Sequence, residues 1–257
     1  MTDITARLAA LREQAPASIL PGVLGRAGLA DHFVTRPSPL GPVFVAFTSR
    51  GVSLVDLAPT PEAFAARYRA RFGRPAVASD RPPARLAAAL EQAMASQRTG
   101  RLPLDLAGLS RFQQAVLHKA AEIPRGEVRP YSWVADEIEH PGSERAVGNA
   151  LAANPVPLVV PCHRVVRADG RLGRYSLGAD DNKRVLLEAE GLEVAAYESL
   201  ATRGVRYLGS ATTGIYCHPT CRHARRITGR HRVEFRDARA AAAAGYRPCR
   251  DCRPQAA

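Results

Sequence analysis

Residues 143–166 read SERAVGNALAANPVPLVVPCHRVV. A stretch of small, helix-compatible residues runs into an apolar segment broken by prolines, and that segment delivers Pro161-Cys162-His163-Arg164. A cysteine followed directly by a histidine on such a constrained backbone reads as a nucleophile. Thiols react well only when a neighbour stabilises the thiolate or takes its proton, and an adjacent imidazole can do either. Alone, the pair is weak evidence. Its surroundings strengthen it.

Upstream, the pattern predicts a helix over 110–123, with Phe112, Val116, Leu117 and Ala120 on one face and Pro124-Arg125-Gly126 as its stop. Two short helices follow, over 132–138 and 143–153, joined by Glu139-His140-Pro141-Gly142. This is a helix-turn-helix pattern. Readers of the major groove send long polar side chains from the second helix onto base edges. Here that helix is RAVGNALAA, mostly small and apolar, with Arg145 left to insert. Close approach to a narrow groove and sequence-tolerant DNA binding are expected.

Before residue 106 the reading is structural. A short amphipathic helix is expected at 5–14. β-rich runs at 33–35, 42–48 and 52–57, separated by turn residues, predict an antiparallel meander. Helices are expected over 61–72, opened by Thr60 and Pro61, and over 82–97, with a further strand at 101–106. Residues 192–207 read as a connector.

The net charge is +12, and its distribution is uneven. From Ala201 onward there are 12 arginines against Glu234, Asp237 and Asp251, so +9 of that charge lies in the last 57 residues. A polyanionic partner, nucleic acid first, is expected of this C-terminal module. The start of the chain lacks the pattern of a secretory signal, and no apolar stretch is long enough for a membrane span. A cytoplasmic protein with no membrane partner is expected. Four of the five cysteines form two pairs, Cys217/Cys221 and Cys249/Cys252, with 27 residues between them. That spacing predicts a Cys₄ zinc site, and four thiolates suffice without His223 or His231.

Tyr131-Ser132, the helix from Arg145 to Gly148, Asn154-Pro155, Pro161 to Val165, Tyr175-Ser176 and Glu190 occur in one order. With these motifs the chain resembles the O6-alkylguanine-DNA alkyltransferase family over about 33–191. The resemblance implies an α+β fold, with an RNase H-like domain at 31–105 after an extension at 1–30. A helix-turn-helix (winged-helix-like) alkyltransferase domain would occupy 106–195. It further implies a monomer that approaches double-stranded DNA from the minor groove and flips the alkylated guanine out of the stack. Cys162 would accept the alkyl group irreversibly, once per molecule. His163, oriented by Glu190, would remove the thiol proton through a water. Arg145 would fill the gap in the stack, and Tyr131 would press on the adjacent phosphate. Asn154 would join the recognition helix to the active-site turn, and Leu151, Val165, Tyr175 and Ser176 would line the base pocket. Leu177 stands where many members carry glycine, so a narrower pocket is expected.

The cysteine flanks, Thr212 to Cys217 and Gly245 to Cys249, resemble the metal-binding domain of Ada-type adaptive-response proteins. A zinc domain at 196–257 is therefore expected, holding one Zn²⁺ on Cys217, Cys221, Cys249 and Cys252. The resemblance implies that Cys217 is a second methyl acceptor, for methylphosphotriesters. The alternatives are a structural zinc site, or a methylation-responsive DNA-binding sensor. Here the module follows the alkyltransferase segment, the reverse of the Ada order.

Overall fold

Thr60 caps the helix over Pro61–Phe72 through its hydroxyl, which accepts from the Ala63 amide, and Pro61 occupies its first turn, where the missing N–H costs nothing. The computed structural model describes residues 23–25, 27–96, 99–179 and 181–254. The helix expected at 5–14, and nearly all of the extension, lie outside the described residues. Strands β1 (Asp31–Arg36), β2 (Val43–Phe47) and β3 (Val52–Asp56) form the expected meander. Helix α1 (Pro61–Phe72) leads to β4 (Ala76–Ala78), which pairs parallel with β1 and completes a four-stranded sheet of order β3-β2-β1-β4. Helix α2 (Ala84–Ser96) follows.

The strand expected at 101–106 does not form. Only one bridge joins Leu104 to Val52, because Pro103 carries no N–H to extend a ladder. β4 escaped the sequence reading because three residues, two of them alanine, carry no alternation.

Helix α3 (Arg111–Glu122) begins with a capping box between Ser110 and Gln113. The two-residue β5 (Arg129–Pro130) runs straight into α4 (Tyr131–Glu137), and α5 (Glu144–Ala152) completes the helix pair. Val147, Ala150 and Leu151 face the core, while Arg145, Ala146 and Asn149 face outward. A 3₁₀ turn (Cys162–Arg164) feeds β6 (Val165–Val166), which pairs parallel with β5. Helix α6 (Asn182–Ala189) packs beneath that turn.

One apolar core crosses the boundary expected at 105/106, from Val45 and Leu90 to Leu117, Val147 and Cys162. The first sheet and α1 also hold the segment leading to Cys162: the Val55 amide donates to the Pro155 carbonyl, and Arg71 of α1 to that of Ala153. This gives the N-terminal segment a positioning role in the fold.

The expected connector contains a helix, α7 (Val194–Thr202), which buries Val194 and Tyr197 at i, i+3. Its apolar stripe is too short to stand out by periodicity. Strands β7 (Tyr207–Ser210), β8 (Ile215–Cys217), β9 (Arg232–Phe235) and β10 (Arg247–Pro248) form a second sheet of order β10-β8-β7-β9. The alanine run lies in α8 (Ala238–Ala243), capped by Asp237. Among the described residues, no helix is long and apolar enough to cross a membrane.

Candidate functional site

Asn154 closes the loop that presents the thiol. Its Oδ1 accepts from the Val156 amide, and its Nδ2 donates both to the Val160 carbonyl and, at 3.3 Å, to Cys162 Sγ. Leu158, in the same loop, adopts a left-handed backbone with φ of 71°, unusual for a bulky residue and fixed here by its buried side chain.

Behind the thiol lies a fully buried relay. His163 Nε2 sits 2.7 Å from Glu190 Oε1, and the Arg164 guanidinium grips both carboxylate oxygens at 2.7–3.0 Å. Glu190 Oε2 also accepts from the Gly126 amide at 2.9 Å. Burial opposes ionisation of Glu190, but the bonds and charges of His163 and Arg164 overcome it, bringing its carboxyl down to about 2. The carboxylate is therefore an acceptor at any working pH, so Nε2 carries the imidazole proton and Nδ1 is the basic nitrogen. Nδ1 is buried with no protein hydrogen-bond partner. Burial also lowers the His163 pKa, with Glu190 opposing, which keeps the ring neutral and able to take a proton.

Burial pushes the Cys162 thiol up, while the Asn154 amide, the Lys183 charge and the Tyr175 hydroxyl pull it back. The resting group is a protected thiol. Tyr175 OH faces the sulfur but lacks a hydrogen bond of good geometry. Lys183 was missed in the sequence. It is fully buried, donates to the carbonyls of Val165 and Leu172, and is pushed down to about 8 by burial. Its position three and four residues before Leu186 and Leu187 puts it on the inward face of α6, which periodicity could have revealed.

A cavity of about 420 Å³ opens on the sulfur, lined by Tyr131, Gly148, Leu151, Arg174, Tyr175 and Ser176, among others. That volume suits a small organic group. Tyr131, Leu151, Tyr175 and Ser176 thus gather around Cys162. Val165 does not: it is fully buried, pairs with Arg129 in the β5–β6 ladder and belongs to the core. Leu177 faces a neighbouring cavity with Val55, Asn154 and Pro157, so it does not narrow the space at the thiol. Arg145 is exposed on α5.

In the C-terminal module the sulfurs of Cys217, Cys221, Cys249 and Cys252 all lie within 4.8 Å of one another and are buried. Tetrahedral zinc–thiolate bonds place sulfurs about 3.8 Å apart, so the set fits one zinc ion. His223 is bonded instead to Asp251 at 2.7 Å, and His231 accepts from Arg230, so neither joins the cluster. Cys217 also opens onto a cavity of about 470 Å³ lined by Arg226, Arg247 and Arg250.

Two family profiles match the chain: "6-O-methylguanine DNA methyltransferase, DNA binding domain" over residues 111–192 and "Metal binding domain of Ada" over 196–255. A methylated-DNA–protein-cysteine methyltransferase of Mycobacterium tuberculosis is 49% identical over 87 residues, 34% of this chain and 52% of that protein. An inducible one from Bacillus subtilis is 44% identical over 89 residues, 35% and 49% of the respective chains. The chain thus spans about half the length of the curated relatives it matches. The crystal structure of the M. tuberculosis O6-methylguanine methyltransferase aligns with a TM-score of 0.50 at 34% identity, covering 62% of this chain and 92% of that one. The chain belongs to the O6-methylguanine-DNA methyltransferase family and carries an Ada-type metal-binding domain after its DNA-binding domain.

Proposed function

We propose that this protein repairs DNA by moving an alkyl group from O6-alkylguanine onto Cys162. The observation that carries the reading is the buried Glu190–His163 pair set behind a protected thiol at the floor of a cavity. In the step, Cys162 sulfur forms a bond to the O6-bound carbon as the carbon–oxygen bond breaks, and the electron pair goes to O6. The thiol proton passes through a water to His163 Nδ1, and an equivalent proton reaches the guanine, so a thiol and an O6-alkylguanine become a thioether and guanine. Asn154 Nδ2 and the Lys183 charge stabilise the transient thiolate. Nothing beside Cys162 reverses a thioether, so each chain acts once. A duplex carrying O6-methylguanine should be repaired one lesion per chain and then no further; continued turnover would contradict the reading.

The base reaches the cavity by flipping, with Arg145 from exposed α5 entering the stack, Tyr131 against the adjacent phosphate, and Leu151, Tyr175 and Ser176 around the base. Flipping costs a few kcal/mol. Arg145→Ala should therefore slow repair of duplex DNA by roughly 10–100-fold while leaving reaction with the free base nearly unchanged. Equal losses on both substrates would remove this role. We assign residues 31–105 to an RNase H-like domain, 106–195 to the winged-helix-like alkyltransferase domain and 196–257 to the zinc domain, in a chain that acts as a monomer on the minor groove.

A second reading concerns Cys217, which opens onto an arginine-lined cavity. Zinc there would hold the four sulfurs as thiolates, with a net charge of about −2 that repels ordinary phosphodiesters. A methylphosphotriester is neutral and is admitted. Cys217 sulfur takes its methyl, leaving an anionic diester among Arg226, Arg247 and Arg250. Mass mapping of Cys217 after reaction with methylphosphotriester DNA tests this. An unmodified Cys217 leaves the module structural.

A further inference from the structure

Residues 123–129, running from the end of α3 into β5, are gripped from two sides. On one side are the groups that support Cys162. Arg164 donates to the Ile123 carbonyl at 2.7 Å, Arg125 to that of Ala189 at 2.8 Å, and the Gly126 amide to Glu190 Oε2. Gly126 has φ of +71°, and a Cβ there would press on the Glu190 backbone carbonyl at 3.1 Å, so the turn packs closely against the Glu190 backbone as well as donating to its carboxylate.

On the other side is the C-terminal module. Thr220 Oγ accepts from the Val128 amide at 2.9 Å and donates to the Val128 carbonyl at 3.3 Å. Glu127 Oε1 accepts from the Arg222 amide at 2.9 Å, and its other oxygen pairs with Arg129 at 2.5 Å. Thr220 and Arg222 flank Cys221. Glu127, Arg129 and Thr220 are each no more than 3% exposed. The indole N–H of Trp133 donates to the Cys252 carbonyl, and Arg129 and Arg253 sit over its ring. Buried polar groups need partners, and here the Val128 amide and Glu127 Oε1 find theirs in the module. A flexible tether would need no such bonds.

We propose that the C-terminal module buttresses the Cys162 relay, with Thr220 and Glu127 as positioning residues that fix the 123–129 turn and, through Gly126, the Glu190 carboxylate. The inference rests on Cys162 being the alkyl acceptor.

The test uses the full-length, zinc-loaded chain with Thr220→Val, its rescue Thr220→Ser, and Glu127→Gln. Amide exchange across 123–130 should accelerate in Thr220→Val and Glu127→Gln and return to the parental rate in Thr220→Ser. The single-turnover rate of Cys162 methylation at saturating DNA should fall roughly tenfold or more, with the half-saturating DNA concentration unchanged and Thr220→Ser restoring the rate. Parental exchange across 123–130 would overturn the proposal. So would a parental saturated rate, including one accompanied by weaker DNA binding, since that reduces the module to a DNA tether. If Thr220→Val fails to hold zinc, Glu127→Gln reads the same turn from the other side of the interface. If the unmodified chain takes no methyl at Cys162, the functional reading fails by itself, and the exchange measurement still decides the buttress.

Discussion

Glu190→Gln should lose both stability and alkyl transfer. The carboxylate neutralises a guanidinium that is completely shielded from water and orients an imidazole that is equally so. Breaking a buried pair by neutralising one member costs about 3–5 kcal/mol. The pH dependence points the same way. The Glu190 carboxyl is held at about 2 against an ordinary 4.5, a difference of roughly 3 kcal/mol. Because its folded value is depressed, this contribution is fully present above about pH 4.5 and is lost as pH falls toward 2. Denaturant unfolding at neutral pH should show the deficit, and the variant's stability should vary less than the parent's across that acid window. Without the carboxylate, His163 is free to take the other tautomer or to turn. Transfer should slow by roughly 10²–10⁴-fold, the range for a disabled general base. A rate within twofold of the parent would show that the relay does not serve the thiol.

Metal removal should have the second large effect. The apolar cluster at the heart of the C-terminal module comprises Val205, Leu208 and Ala224 together with the four cysteines themselves. Taking away the ion turns most of that core into four crowded thiols, and structural zinc in small domains supplies on the order of 10 kcal/mol of folding free energy. A strong chelator should unfold roughly residues 205–254 while the continuous core of 31–192 persists. Trp133 is the sole tryptophan of the chain and makes its indole hydrogen bond to the Cys252 carbonyl. Its emission should shift to the red on chelation and recover on adding zinc. Unchanged emission, with unchanged amide exchange in the module, would mean that the sheet of β7 to β10 stands without metal.

What the sequence disclosed was mostly local. The Thr60-Pro61 helix start, the α4–α5 pair, the Cys-His motif and each of the two cysteine pairs reside within about two dozen residues or fewer, where spacing and turn chemistry speak directly. The proximity of Glu190 to His163 came from the resemblance alone, since 27 residues separate them. The domain interface was invisible for the same reason. Thr220 meets Val128 across 92 positions, and Trp133 meets Cys252 across 119. Nothing in the pattern around Thr220 marks it as more than a loop residue. At 101–106 a strand is expected, but Pro103 leaves only the single bridge of Leu104 to Val52. The motif places Val165 beside the thiol in sequence, whereas its pairing with Arg129 in the β5–β6 ladder holds it in the core, outside the cavity lining. Lys183 carries no signal of its role in composition, because lysine is so seldom buried.

The central claim is that the Cys162 sulfur keeps the alkyl carbon. Peptide mapping of the full-length chain after reaction with duplex DNA carrying O6-methylguanine tests it most directly. The account predicts that the peptide holding Cys162 becomes heavier by one CH₂, in step with loss of the lesion, and that Cys162→Ala abolishes both changes while retaining zinc. Lesion loss with an unmodified Cys162, or undiminished in Cys162→Ala, would contradict it.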